Sequence, residues 1–149
     1  MSEIAFYHLT RSRLEEALPR LLEKVLAAGQ RAVVRGTDEE RVEQLARVLW
    51  TYRRDSFLPH GTRRDGHPER QPVWLTTAVE NPNGARILIL VDGAPHEGLD
   101  GFDRVLDLFD GNDPEQLEAA RRRWREAGRV GHTVAYYRQD ERGRWQRGR

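Results

Sequence analysis

The sequence predicts an α/β fold organised around a mostly parallel sheet. Three observations carry that reading. Short apolar runs rich in β-formers alternate with stretches whose apolar residues recur at helical spacing. The connections between the first four segments are short, as in right-handed βαβ units. Residues 86–91 (RILILV) form a near-continuous apolar run, as expected of a strand buried on both faces. At 149 residues the chain suits one domain. A chain of that size buries roughly 70% of its unfolded surface and needs neither disulfide nor metal to fold.

Taken in order, residues 4–9 (IAFYHL) read as a buried strand. Leu14, Leu18, Leu21, Leu22, Val25 and Leu26 then mark a helix, with Thr10 or Ser12 placed to cap it and Gly29 just past its end. Pro19 should kink its first turns or delay its start to about Leu18. Residues 31–35 (RAVVR) are a second strand. With Thr37 as cap of the next helix, Glu40 stands three residues on, the spacing of a capping box, and Asp38 is the neighbouring capping residue. Val42, Leu45, Ala46, Val48 and Leu49 form the apolar face of that helix, which runs to about Tyr52.

Residues 53–72 hold three prolines, two glycines and five arginines without periodicity, so they read as a long loop. Residues 73–77 (VWLTT) are a strand, residues 81–84 (NPNG) a turn, residues 86–91 the next strand, and residues 92–101 another loop. Residues 102–109 fit two templates. Phe102, Val105, Leu106 and Phe109 match a helix face, while VLDLF also matches a strand. Asp113 as cap and Pro114 at the first position open a helix to about Ala127. Residues 133–138 (TVAYYR) are the last strand. The domain is therefore expected over residues 1–139, with residues 140–149 as a polar tail.

The net charge of +1 hides a polarised chain. Residues 80–113 hold two arginines against eight acids, whereas residues 114–149 hold ten arginines against five acids. The basic block should meet an acidic partner. There is no cysteine, which removes a disulfide scaffold, a thiol nucleophile and an iron–sulfur cluster, and fits a reducing, cytoplasmic setting. No apolar run approaches a membrane span, and residues 1–13 are too polar for a signal peptide.

Motifs for catalysis are scarce. The first strand enters its helix through His8, Leu9 and Thr10 without glycine, so the phosphate-binding glycine loop of dinucleotide folds is missing. There is no G-x-S-x-G elbow. His8, His60, His67, His96 and His132 show no i, i+4 pair, which leaves a loop-built zinc site as a minor alternative to solvated or turn histidines. Asp92 closes the best strand, where an α/β enzyme would hold a carboxylate, and it also fits an ordinary Asp-Gly turn.

Two constellations remain. Arg121, Trp124 and Arg125 are three and four residues apart and can share one helix face. An indole platform with guanidinium forks suits an acidic peptide end or single-stranded nucleic acid. The same pattern fits a core tryptophan on an otherwise solvated helix. Trp50, Tyr52, Phe57, Leu58 and Pro59 form the second constellation, either an interface or a loop folded back on the core.

These segments together resemble the chi subunit of bacterial DNA polymerase III holoenzyme, a clamp-loader accessory protein. The resemblance rests on FYHL, on LWTYRRDSFLPHG, on PVWL and ILILVDG, on FDRVLDLFDG, on the arginine-rich helix with its aromatic, and on GH before the last strand. They span nearly the whole chain, and SFLPHG after a tryptophan is the most specific. The resemblance implies a non-enzymatic, three-layer Rossmann-like α/β domain with no cofactor, and it turns residues 102–109 into a strand. It implies an adaptor between the clamp loader and the acidic C-terminal tail of single-stranded DNA-binding protein, which ends in phenylalanine and a free carboxylate. By similarity, Arg121 would take the carboxylate, Trp124 (often tyrosine in the family) and Phe109 would line the ring pocket, and Arg125 would meet the acids. Trp50, Phe57, Pro59 and His60 match the surface that holds the psi subunit or a competing helicase-like partner. The loop carries more arginines than the family pattern, and the tail from Arg142 departs from it. Direct binding of single-stranded nucleic acid by the basic C-terminal region is the alternative.

Overall fold

The computed structural model describes residues 3–52 and 58–148. They form one seven-stranded sheet in the order β3-β2-β4-β5-β1-β6-β7. The strands are β1 (Glu3–Leu9), β2 (Ala32–Arg35), β3 (Val73–Thr76), β4 (Ile87–Leu90), β5 (Arg104–Asp110), β6 (Thr133–Gln139) and β7 (Trp145–Arg147). The helices are α1 (Leu14–Ala27), α2 (Glu39–Thr51) and α3 (Pro114–Arg129). All pairings are parallel except β6 with β7. The mostly parallel α/β sheet is as expected, and residues 104–110 form a strand. The stretch read as a polar tail contributes β7, whose Trp145 packs edge-on against Tyr7 at 4.8 Å.

Strand alternation divides the core into two layers. Ala5, Tyr7, Leu9, Val34, Ile89, Leu106 and Leu108 pack with the apolar faces of α1 and α2. Ile4, Phe6, Val33, Leu88, Leu90, Val105 and Phe109 pack with α3 and with Ala94, Leu99 and Phe102 of the following loop. Those loop residues cover the part of the face that α3 leaves open. Arg35 lies beneath them, only 2% exposed, and its Nη1 donates to the Glu97 carbonyl at 2.6 Å.

Three local expectations change. Helix α1 runs unbroken from Leu14, with Pro19 buried inside it, because packing of its apolar face outweighs one lost backbone hydrogen bond. Its N-cap is Arg13 rather than Thr10 or Ser12, and the Glu16 carboxylate accepts from the Arg13 N–H at 3.3 Å. Asp38, not Thr37, caps α2 by accepting from the Glu40 N–H at 3.2 Å.

The chain reverses direction at β1 and β5. The β1–α1–β2 crossover leads toward β3, while β5–α3–β6 leads the other way and lies on the opposite face. In open parallel sheets, ligands usually enter at such a point, beyond the carboxyl ends of the strands.

Candidate functional site

At that reversal the first β–α turn points three consecutive N–H groups, of Thr10, Arg11 and Ser12, at one acceptor. That acceptor is the chain's own Gln139 Oε1, at 3.1, 2.9 and 3.1 Å. Gln139 is buried, and its Nε2 donates to Ser12 Oγ at 3.0 Å. An anion entering this turn would have to displace that amide. Across the crevice, Arg41 bridges Glu15 and Asp92, with Nη2–Oε1 2.5 Å and Nε–Oδ2 3.0 Å. Asp92 adopts φ 55 ahead of Gly93 at φ 79, so the Asp-Gly turn is realised and its carboxylate is engaged. Among the described residues, no group of three or more His, Asp or Glu side chains is arranged to hold a metal ion.

The better-formed site lies on the α3 face. Register places His8 opposite Phe109 of β5 and opposite Arg138 of β6. Alternation then puts Phe6 and His8, Asp107 and Phe109, and Tyr136 and Arg138 on the face that α3 covers. The Asp113 carboxylate caps α3 by accepting from Glu115 N–H at 3.0 Å and Gln116 N–H at 3.4 Å. The helix then runs back along the strands, with Leu117, Ala120 and Trp124 packed against them. A groove of about 270 Å³ remains between helix and sheet. Phe6, Phe109, Leu117, Ala120 and Trp124 supply its apolar walls, and His8, Arg121 and Tyr136 its polar ones.

The aromatic geometry is fixed by mutual contact. Trp124 meets Phe6 edge-to-face at 5.3 Å and Tyr136 at 6.1 Å. His8 stacks on Phe109 at 4.9 Å, and its Nδ1 is hydrogen-bonded to the Tyr136 hydroxyl. Gly111 makes room for that ring, since a Cβ there would lie 1.8 Å from His8 Nε2. Burial lowers the His8 pKa from its usual value, the charges of Arg138 and Arg121 lower it further, and Asp110 opposes them. Burial raises the Tyr136 pKa against the same two arginines. The groove thus couples an apolar slot to a positive field.

The α3 arginines are not equivalent. Arg121 is exposed at the groove rim, 3.8 Å from Glu118. Arg125 is exposed outside the lining and shares Glu118, also at 3.8 Å. Arg129 closes on Glu126 at 2.6 Å. Arg123 instead turns inward and grips Asp107 with two hydrogen bonds, Nε–Oδ2 2.8 Å and Nη2–Oδ1 3.0 Å. His96 Nε2 meets the same Oδ2 at 2.8 Å. Asp107 is only 1% exposed, so this pair anchors α3 to β5 from within the core. Of the residues singled out in sequence, the structure therefore gathers Phe109, Arg121 and Trp124 around the groove and leaves Arg125 beside it. Phe6, His8 and Tyr136 also line the groove without having stood out in sequence; their proximity depends on long-range strand register.

The second constellation assembles at the end of α2. Trp50 is 59% exposed and sits edge-on to His60 at 5.1 Å. His60 is buried, with Nδ1 2.7 Å from the Leu58 carbonyl, and Pro59 is half-buried between them in sequence. Gly61 holds this segment in place by bridging to β3, donating to the Val73 carbonyl at 2.9 Å and accepting from Leu75 N–H at 3.0 Å. Phe57 lies outside the described residues.

Two comparisons bear on this geometry. A family model described as DNA polymerase III chi subunit, HolC, matches residues 1–135, which takes in every element through the start of β6. A protein of Rickettsia prowazekii (strain Madrid E), named probable DNA polymerase III subunit chi, is 35% identical over 91 residues. That stretch is 61% of this chain and 55% of the relative, little more than half its length.

Proposed function

Because the chain belongs to the DNA polymerase III chi subunit family, we propose that it acts in DNA replication as a non-catalytic adaptor that captures the acidic C-terminal tail of single-stranded DNA-binding protein. One observation carries the reading: a largely apolar groove with room for an aromatic ring and the Arg121 guanidinium at its rim. A terminal phenylalanine would fill the slot between Phe109 and Trp124. Its carboxylate would meet Arg121, a charge-assisted contact that an amidated end cannot reproduce. Arg125, outside the groove, is placed for the acidic residues that precede the ring. The contacts are mainly electrostatic and near the surface, so binding should be weak and salt-sensitive, with a screening length of ~8 Å at physiological ionic strength. Several tails on one coated strand would raise the apparent affinity without new contacts.

The opposite assignment for the Trp50, Pro59 and His60 surface follows from the same reading. It would hold the clamp-loader partner, a psi subunit or a helicase-like protein, leaving the groove free for the tail. Direct binding of single-stranded DNA is less well supported. Trp124 is only partly exposed, in T-shaped contact with Phe6 and Tyr136, and Arg121, Arg125 and Arg129 face Glu118 and Glu126. Base stacking needs open aromatic faces on a continuous positive track.

The test is a fluorescence-anisotropy titration with a labelled acidic peptide ending in phenylalanine, its amidated form, and labelled oligo-dT. The free-carboxylate peptide should bind best, and Arg121→Ala should remove that preference while the protein stays folded. Binding of oligo-dT alone would replace the tail reading with direct nucleic-acid contact.

A further inference from the structure

The groove contains an imidazole that the tail-capture reading does not use. His8 stands in register with Arg138 on β6 and with Phe109 on β5, its ring stacks on Phe109, and the charge of Arg138 acts on it from the neighbouring strand. Nδ1 is engaged with the Tyr136 hydroxyl, while Nε2 lies over Gly111, where only the missing side chain leaves space. The charged and titratable groups around it come from each neighbouring element: Tyr136 and Arg138 on β6, Asp110 on β5, and Arg121 on α3. Two cations and one anion act on a half-buried ring, so in the empty groove the neutral form is favoured.

The geometry points to His8 and Arg138 as a proton-linked extension of the carboxylate site, with His8 taking a proton from solvent when an anionic peptide end binds. The inference rests on the tail-capture reading and adds residues and a pH dependence to it. A carboxylate at Arg121, within the field of Arg138, would offset the two charges that oppose protonation of His8. The bound form then holds more protons than the empty one over the window around the ordinary histidine value of ~6.5. Affinity must rise as pH falls through that window. One added unit charge about 4 Å from a carboxylate in a water-like medium corresponds to roughly a fivefold change in affinity. Peptide carboxylates, with ordinary values of ~3.3–4.3, stay ionised throughout.

The experiment titrates the free-carboxylate peptide at constant ionic strength from pH 8.0 to about 5.5, for the wild-type chain, His8→Gln and Arg138→Gln. In parallel, NMR follows the His8 imidazole of the wild-type chain with and without saturating peptide, which needs no variant to fold. Expected are roughly fivefold tighter binding at the acidic end, loss of that dependence in His8→Gln, weaker binding at every pH in Arg138→Gln, and an upward move of the His8 midpoint on saturation. Peptide binding that is flat with pH, or an unmoved His8 midpoint, overturns this inference and leaves tail capture standing. Absence of peptide binding at any pH overturns both.

Discussion

Removing the Arg123 guanidinium should be among the most damaging single changes on α3, although three neighbouring arginines look interchangeable with it in sequence. Arg123 side-chain exposure is 15% and that of Asp107 is 2%, and the two make a bidentate pair at 2.8 and 3.0 Å. Arg123→Met keeps the aliphatic stem but leaves Asp107 Oδ1 without this donor in the core. Breaking one side of such a pair typically costs about 3–5 kcal/mol. For a chain near 150 residues that corresponds to a fall in Tm on the order of 10 °C. Replacing both partners, as in Asp107→Leu with Arg123→Met, removes the uncompensated charge and should return part of the loss, the remainder being the His96 contact to Asp107 that the double variant also gives up. Thermal melts of the two single variants and the double variant complete the cycle. A single variant as stable as wild type, or a double variant whose losses simply add, would refute the idea that this pair anchors α3.

Three further outcomes follow from the same geometry. Gln139→Leu strips the common acceptor from the Thr10, Arg11 and Ser12 N–H groups and should lower stability by about 1–3 kcal/mol, read as a shift of the denaturant midpoint; an unchanged midpoint would mean water replaces the amide at no loss. Gly111→Ala drives a methyl into the His8 ring and to 3.0 Å from the Leu9 carbonyl, which should cost about 1–3 kcal/mol and be partly relieved by adding His8→Ala. Trp50→Ala, at a 59% exposed position, should change stability by less than ~1 kcal/mol and leave peptide capture intact, while weakening retention by the clamp-loader partner in a pull-down; loss of peptide binding would place the tail on the wrong surface.

Much of this fold is legible in local pattern. The runs IAFYHL, RAVVR and RILILV become β1, β2 and β4 because parallel strands buried on both faces need continuous apolar sequence. Asp113-Pro114 starts α3 as its chemistry demands. Residues 102–109 are undecidable locally because VLDLF satisfies both periods, and its position between β4 and β1 makes it a strand. β7 is only Trp145, Gln146 and Arg147, too short and polar to stand out; its pairing with β6 and the contact of Trp145 with Tyr7 make it. The cap of α1 is hidden because the Thr10 and Ser12 hydroxyls, which would have to accept from the helix N–H groups, are engaged with Gln139, more than a hundred residues away.

The groove is half legible for a related reason. Arg121 and Trp124 share a helix face at i, i+3, which any sequence displays. Phe109 enters through family resemblance. His8 and Tyr136 join them only through the parallel pairing of β1 with β6, which no local spacing encodes. Nor does sequence distinguish Arg123 from Arg121, Arg122 and Arg125. Its role appears once Asp107 is seen to face inward between Val105 and Phe109 on a buried strand.

The most direct test of the account is an NMR map of the isotope-labelled chain titrated with the unlabelled acidic peptide ending in phenylalanine. The account predicts that the largest shifts cluster on Phe109, Leu117, Arg121, Tyr136 and the Trp124 indole N–H, with little change at Trp50 or His60. Shifts centred on Trp50 and His60, or spread evenly along the arginines of α3, would contradict it.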